Sequence, residues 1–210
     1  MTRIHFIADV FAEQHLGGGE LSNQELIKLL GQKDKEVIQC LSAQVTPDYI
    51  LENRGDKFIV GNFLGLSEDS KKCLMDNCSY IIYEHDHKYL ISRDPSVYEN
   101  YQAPDSDIIN KDFYKSSVAV ICQSKLHRDV VKQNLKLDNI ISVGGNLWDD
   151  HTLNLLRKLC NKDKRQRYSI WDSVNPIKNT PLTVAYCKRN EIPFDLVGFL
   201  PYDKFLAYFL

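Results

Sequence analysis

Apolar positions along the chain follow two alternating periods. From Arg3 to Val10 they form a nearly continuous run, Ile4, Phe6, Ile7, Ala8 and Val10, as in a strand covered on both faces. From Leu21 to Leu30 they switch to helical spacing, with Leu21, Ile27, Leu30 and the Leu26/Leu29 pair near one face. The alternation then repeats. Strands are predicted over 36–41, 57–64, 78–83, 118–122 and 139–143. Between them, Thr46-Pro47-Asp48 starts a short helix, since proline suits a first helical position. Ser67-Glu68-Asp69 caps another helix running through Met75, Lys111 to Lys115 makes a helical turn, and Ser124 caps a helix from Lys125 to Leu135. A polar, loop-like stretch fills 92–110. This order predicts right-handed crossovers and an α/β, Rossmann-like doubly wound, mostly parallel sheet.

The pattern restarts after a charged break at 161–167, which reads as a linker or a solvated helix end. A strand over Tyr168 to Trp171, a polar turn to Asn179, a helix from Thr180 to Arg189, a strand over Phe194 to Gly198 and a helix from Tyr202 to Leu210 follow. Two strands and two helices do not make an independent core. The expected division is therefore 1–165 and 166–210, the second part being an incomplete α/β unit. Apolar surface left uncovered there admits a homodimer.

Composition narrows the partners. The 210 residues, 43% of them hydrophobic, suit a soluble globular chain, and a net charge of −2 gives no reason to expect nucleic acid or an anionic membrane. His5 and Asp9 interrupt the first apolar run, so it is not a secretory signal, and no run reaches membrane-spanning length. The expectation is no nucleic-acid partner and no transmembrane segment. Cys40, Cys73, Cys78, Cys122, Cys160 and Cys187 are scattered, several within predicted strands and helices. They read as reduced thiols of a cytoplasmic protein. The spacing of Cys73, Cys78, His85 and His87 fits no common zinc pattern, so no metal is expected.

The chemistry centres on Gly17-Gly18-Gly19-Glu20, where the first strand hands over to the first helix. Without Cβ atoms the backbone there approaches a ligand closely, and the free amides and dipole of the helix start favour an anion. A plain connector, with Glu20 as a first-turn acid, is the competing reading. The turn misses the third glycine of a dinucleotide fingerprint, follows its strand too late, and lacks an acid after the second strand; nor does Lys-Ser/Thr follow, as a Walker loop requires. Since ligands sit at the carboxyl ends of parallel strands, Gly17 to Glu20, Glu84 to His87 and Gly144 to Asn146 are candidates for one cleft.

Taken in order, these residues resemble GT-B glycosyltransferases, particularly the retaining family-4 type. Gly17-Gly18-Gly19-Glu20 is similar to that family's Gly-Gly-x-Glu turn, and His85-Asp86 to its strand-end His-Asp. Val120 to Ser124 resembles a later strand-then-Ser step, and Val143 to Asn146 stands where the family turns toward its linker. Asn175-Pro176-Ile177-Lys178-Asn179 looks like the Lys-Gly element opening the nucleotide-binding domain. The resemblance implies transfer of a sugar from a nucleotide-sugar donor to a glycan or small-molecule acceptor, with no cofactor beyond that donor. On that reading His85 and Asp86 stand at the reacting end, Gly18, Gly19 and Lys178 at the donor phosphate, and His15 and His87 toward the acceptor or sugar; a strand-end histidine satisfied by backbone and a solvated turn lysine are the competing readings of His85 and Lys178. Glu20 and Glu84 read as structural. Tyr98, Tyr101 and Tyr114 offer either a sugar-stacking surface or packing. The family's Glu-x7-Glu element is not in this sequence, and Asn179 replaces the glycine after the lysine. The 210 residues alone are therefore expected to be a truncated, inactive piece. The alternatives are a non-enzymatic Rossmann-like interaction module and a small nucleotide-dependent enzyme complete as it stands.

Overall fold

The computed structural model describes residues 3–161, 163 and 166–209. By its internal contacts the chain forms two compact units, Met1–Leu147 and Trp148–Leu210.

In the first unit β1 (Ile4–Ala8), α1 (Gly18–Gly31), β2 (Val37–Leu41), α2 (Pro47–Glu52), β3 (Lys57–Val60), α3 (Glu68–Asn77) and β4 (Ser79–Glu84) alternate as the periodicity predicts, followed by α4 (Lys111–Ser116), β5 (Ala119–Cys122), α5 (Lys125–Leu135) and β6 (Ile140–Ser142). The six strands make one sheet, β2-β1-β3-β4-β5-β6, with every neighbouring pair parallel. Three expected helix starts carry their caps: the Thr46, Ser67 and Ser124 side chains accept from the amides of Tyr49, Ser70 and His127.

Strand alternation splits the core between the two faces. Ile7, Phe58, Val60, Tyr80, Ile82, Val120 and Cys122 pack with Ile50 of α2, Leu74 of α3, Phe113 and Tyr114 of α4, and Val131 and Leu135 of α5. Phe6, Ala8, Ile59 and Tyr83 pack on the opposite side with Leu26, Ile27 and Leu30 of α1. Helices therefore cover both faces, which is why the strands read as apolar runs. His5 lies inside this core, its ring stacked on Phe58 at 5.0 Å and bonded to the Tyr49 hydroxyl and the Asp56 carboxylate.

Strand order reverses at β1, since β2 lies on one side of it and β3 on the other. A ligand crevice is expected at that point, and there a carboxylate ties two loops together. Asp9, just past β1, accepts from the Ser42 hydroxyl and from the amides of Leu64 and Gly65 at 3.1 and 2.9 Å. Gly65 is required there: a Cβ would lie 2.6 Å from the Ser42 hydroxyl.

The second unit holds α6 (Asp150–Cys160), β7 (Tyr168–Trp171), α7 (Thr180–Arg189), β8 (Phe194–Val197) and α8 (Tyr202–Phe209). Its two strands pair in parallel. Ile170, Val197, Cys187 and Leu206 are buried, and the Trp171 and Phe205 rings meet at 5.0 Å. The sequence pattern did not predict α6, although Asp149 caps it through the Thr152 amide. That helix belongs to the second unit, so the charged stretch 161–167 lies inside this unit and the observed division falls at 147/148, earlier than the expected 165. Lys162, Lys164 and Arg165 of that stretch, and Leu210 of the expected last helix, lie outside the described residues.

Candidate functional site

The glycine turn opens α1 one turn earlier than its apolar spacing indicates. Gly17 is the cap, in an extended conformation with φ −119° and ψ 165°, and offers no side chain to the amides beyond it. The first backbone bond runs from the Leu21 amide to the Gly17 carbonyl. The amides of Gly18 and Gly19 thus have no acceptor among the described residues, and nothing stands within 4 Å of a Cβ built at Gly18. These are the orphan donors of a helix start, at the positive end of its dipole. Glu20 folds back over Gly17, where a Cβ would meet its carboxylate at 2.1 Å, and is near the Asn62 amide at 3.4 Å. It shapes the turn, as the sequence suggested. His15, exposed, lies 3.4 Å from the same Cβ position at Gly17.

His85 reaches this turn from the end of β4. A Cβ on Gly19 would touch its ring at 3.6 Å. Asn23, one turn along α1 from Gly19, bonds the His85 Nε2 at 2.8 Å, while Gln123, just past β5, bonds Nδ1 at 2.6 Å. With the Gln123 amide donating to Nδ1, the ring is neutral and its Nε2–H donates to Asn23. The Tyr83 ring meets it edge-on at 4.5 Å, and the Tyr83 hydroxyl bonds Ser22 at 2.8 Å. The Leu147 amide, past the Gly144–Asn146 turn, donates to that same Ser22 hydroxyl at 3.5 Å. His85 at the end of β4, Gln123 past β5 and Leu147 are thus linked, directly or through one side chain, to the first turns of α1.

The other strand-end residues serve different partners. Asp86, which the resemblance gave to the reacting end, is ion-paired with Lys88 and Arg93. Glu84, fully buried, accepts from the Tyr114 hydroxyl and from the Asp86 amide and lies 3.6 Å from the buried Lys88 ammonium. His87, in a left-handed conformation at φ 56°, turns to His127 at 4.5 Å between ring centres and to the Tyr89 hydroxyl at 3.0 Å. Tyr114 is wholly buried and packs against Phe63 and Tyr89. Tyr98 bonds Asp107, and Tyr101 is exposed. Tyr114 is thus a packing residue, while Tyr101 is exposed and Tyr98 half-buried. Lys178 belongs to the second unit, exposed on the turn Pro176–Lys178 before α7. Asn179 after it takes φ 54°, the left-handed conformation that glycine adopts freely and asparagine tolerates.

Charge at the site follows burial. Burial, then the Lys88 ammonium, lowers the His85 pKa to about 4 from an ordinary 6.5. Burial, then His127, does the same to His87, and burial lowers His127 as well. Burial alone would raise Glu84, but Lys88, the Tyr114 hydroxyl and the two nearby imidazoles hold it well below the usual carboxylate range. The sign follows by linkage. Below the ordinary histidine value the unfolded chain binds protons that the folded chain refuses, so stability falls as pH drops from 6.5 toward 4. The Glu84 contribution is intact above 4.5 and is lost only as pH falls below that toward about 2. Urea midpoints should be level from pH 7 to 8 and decline steadily below 6.5; a flat profile between 6.5 and 4.5 would contradict neutral, buried imidazoles.

Asn23 and Gln123 escaped the sequence reading. Asn23 carried a usable signal, the i, i+4 spacing from Gly19 on one helix face; Gln123 carried only its place after a strand. The Asn23 Nδ2 and Asn62 Oδ1 atoms are buried without a hydrogen-bond partner among the described residues. Among the described residues no group of three or more His, Cys, Asp or Glu is arranged to hold a metal ion, and no helix is long and apolar enough to cross a membrane.

No protein-family model matches this chain, and no curated protein matches it. Seven solved chains do. One is an alpha-glucosyltransferase in complex with UDP and a 13-mer DNA containing a HMU base; the superposition has a TM-score of 0.52 at 10% identity and covers 98% of this chain and 69% of that one. Identity that low makes the likeness one of fold. The chain thus has a mostly parallel, Rossmann-like α/β fold with flanking helices, similar to that of a UDP-bound glucosyltransferase.

Proposed function

We propose that this chain is the acceptor-side part of a GT-B type glycosyltransferase, of the retaining family-4 kind, together with the start of its nucleotide-sugar domain. The reaction moves a sugar from a nucleotide-sugar donor to an acceptor hydroxyl: the bond from the anomeric carbon to the diphosphate breaks, a new bond to the acceptor oxygen forms, and the acceptor proton is released. The observation that carries this reading is the pair of unengaged amides at Gly18 and Gly19 with the His85 ring against Gly19.

Amides already aimed at the leaving diphosphate stabilise its growing charge without reorganising. Lys178, in the second unit, keeps the donor-phosphate role that the resemblance gives it, and the glycine-like conformation of Asn179 supports carrying that role over. His85 is held by Asn23 and Gln123 as a neutral hydrogen-bonding group facing the sugar; its lowered pKa suits it to orient hydroxyls rather than to carry a proton. His15, exposed beside Gly17, and His87 remain sugar or acceptor contacts in this reading. Asp86 is reassigned to fixing the turn after β4 through Lys88 and Arg93. Burial of Cys40, Cys73, Cys122 and Cys187 as free thiols supports a reducing, cytoplasmic setting. The acceptor is a glycan or small molecule; the net charge that argued against nucleic acid has no support from the glucosyltransferase neighbour, which was solved with DNA.

Amide spectra of the 15N-labelled chain test the reading. UDP and UDP-glucose should shift the Gly18 and Gly19 resonances, whereas uridine, lacking phosphate, should leave them in place. Resonances unmoved by millimolar UDP would overturn it.

A further inference from the structure

Apart from the glycine–histidine site, the first unit holds a concavity of about 450 Å3 lined by Phe63, Leu64, Glu68, Lys71, Ile109 and Asn110. Phe63 and Leu64 follow β3, Glu68 and Lys71 open α3, and Asn110 precedes α4 and donates to the Lys88 carbonyl past β4 at 2.9 Å. The concavity therefore lies at the carboxyl end of the sheet, the end that carries Gly18 and His85. We infer that it binds the anionic group of a small amphipathic acceptor, a carboxylate or phosphate monoester on an apolar body. The word acceptor rests on the function proposed above; the anion site does not.

Three features carry the inference. First, Lys71 is a cation with a buried stem. The residue is only 8% exposed, and its ammonium meets Glu68 at 2.7 Å, the Asn110 side-chain oxygen at 3.0 Å and the Phe63 ring at 5.5 Å. An ammonium has three donors, so among the described residues one remains beyond these two acceptors. Second, its charge partner is loosely held: the Glu68 side chain is 85% exposed. Such a pair contributes little, because water competes for the exposed carboxylate. A ligand anion that replaces Glu68 keeps the charge contact and adds apolar burial. Third, the surface for that burial is present, since Leu64 and Ile109 are 57% and 40% exposed beside the ammonium. Asn110 is a fixed wall, held in a left-handed conformation at φ 55° with its side chain bonded to both Lys71 and the Lys88 carbonyl. The Lys88 ammonium, near the same Phe63 ring at 5.6 Å, is already paired with Glu84 and Asp86 and leaves Lys71 as the cation for the ligand.

Calorimetric titration of the whole chain with phenyl phosphate, phenylacetate and benzyl alcohol tests this. Both anions should bind about tenfold more tightly than the neutral alcohol, the effect of one charge-assisted contact. Lys71→Met should remove that preference. Glu68→Gln, at an exposed position that does not threaten folding, should strengthen anion binding about threefold by deleting the competing carboxylate. Equal binding of alcohol and anions, or a Glu68→Gln variant with unchanged or weaker anion affinity, overturns the site. Should anion binding follow these rules while UDP leaves Gly18 and Gly19 unmoved, the anion site stands and the glycosyl-transfer reading alone falls.

Discussion

Lys88→Met is expected to destabilise the chain by about 3–5 kcal/mol at neutral pH, the loss typical of stranding one member of a buried ion pair. Glu84 is 0% and Lys88 1% exposed. Without the ammonium, Glu84 keeps the Tyr114 hydroxyl and the Asp86 amide but no cation within its cluster that outweighs burial. Burial then dominates and drives its pKa upward, so the variant's carboxylate tends to take a proton. The stability gap between wild type and variant should narrow on acidification, because protonation removes the stranded charge. Urea unfolding at pH 7.5 and pH 5 measures both effects. A gap below about 1 kcal/mol at pH 7.5, the level of an exposed pair, would show that Lys88 is not structural. Glu84→Gln combined with Lys88→Met should recover most of the loss, since a neutral pair needs no counter-charge. That double variant also keeps the test alive if the single one fails to fold.

Gly18→Pro should abolish most UDP binding while leaving the fold intact. Proline is welcome at the first position of a helix and removes one amide donor. The residue before it must be extended, and Gly17 already is, at φ −119° and ψ 165°. The ring meets open space, with nothing among the described residues within 4 Å of the Gly18 Cβ position. A hydrogen bond to a charged group contributes about 1.5–3 kcal/mol, so affinity for UDP should fall on the order of 10- to 150-fold. Gly18→Ala keeps the amide and should bind nearly as wild type. Titration calorimetry with parallel thermal melts checks all three proteins. Equal affinity of the proline variant and wild type would mean that this amide does not face a phosphate.

The second of these substitutions was legible in the sequence and the first was not. Glycines between a strand and a helix announce free amides wherever the rest of the chain goes, because the donors belong to the helix start itself. The pairing of Glu84 with Lys88 depends on how a turn folds back after β4, with His87 in a left-handed conformation. Asp86 illustrates the same point. As the neighbour of His85 in the strand-end pair it looked reactive, but its orientation follows from two cations that only the folded turn brings to it. The helix Asp150–Cys160 is different: its cap Asp149 and its Leu153, Leu156 and Leu159 spacing were present in the sequence and still went unread.

By itself the sequence determined most elements of this protein, its parallel α/β class and the helix start whose amides stay open at Gly18 and Gly19. Those rest on local rules: hydrophobic period, capping side chains and the amides every helix start leaves open. Only the tertiary structure decided that β1 lies between β2 and β3, that Asp9 binds Ser42 and the Leu64 and Gly65 amides there, and that His85 is held neutral between Asn23 and Gln123. Backbone pairing in a parallel sheet carries no local code for strand order. A side chain's charge state depends on burial and on partners as many as 62 residues away along the chain.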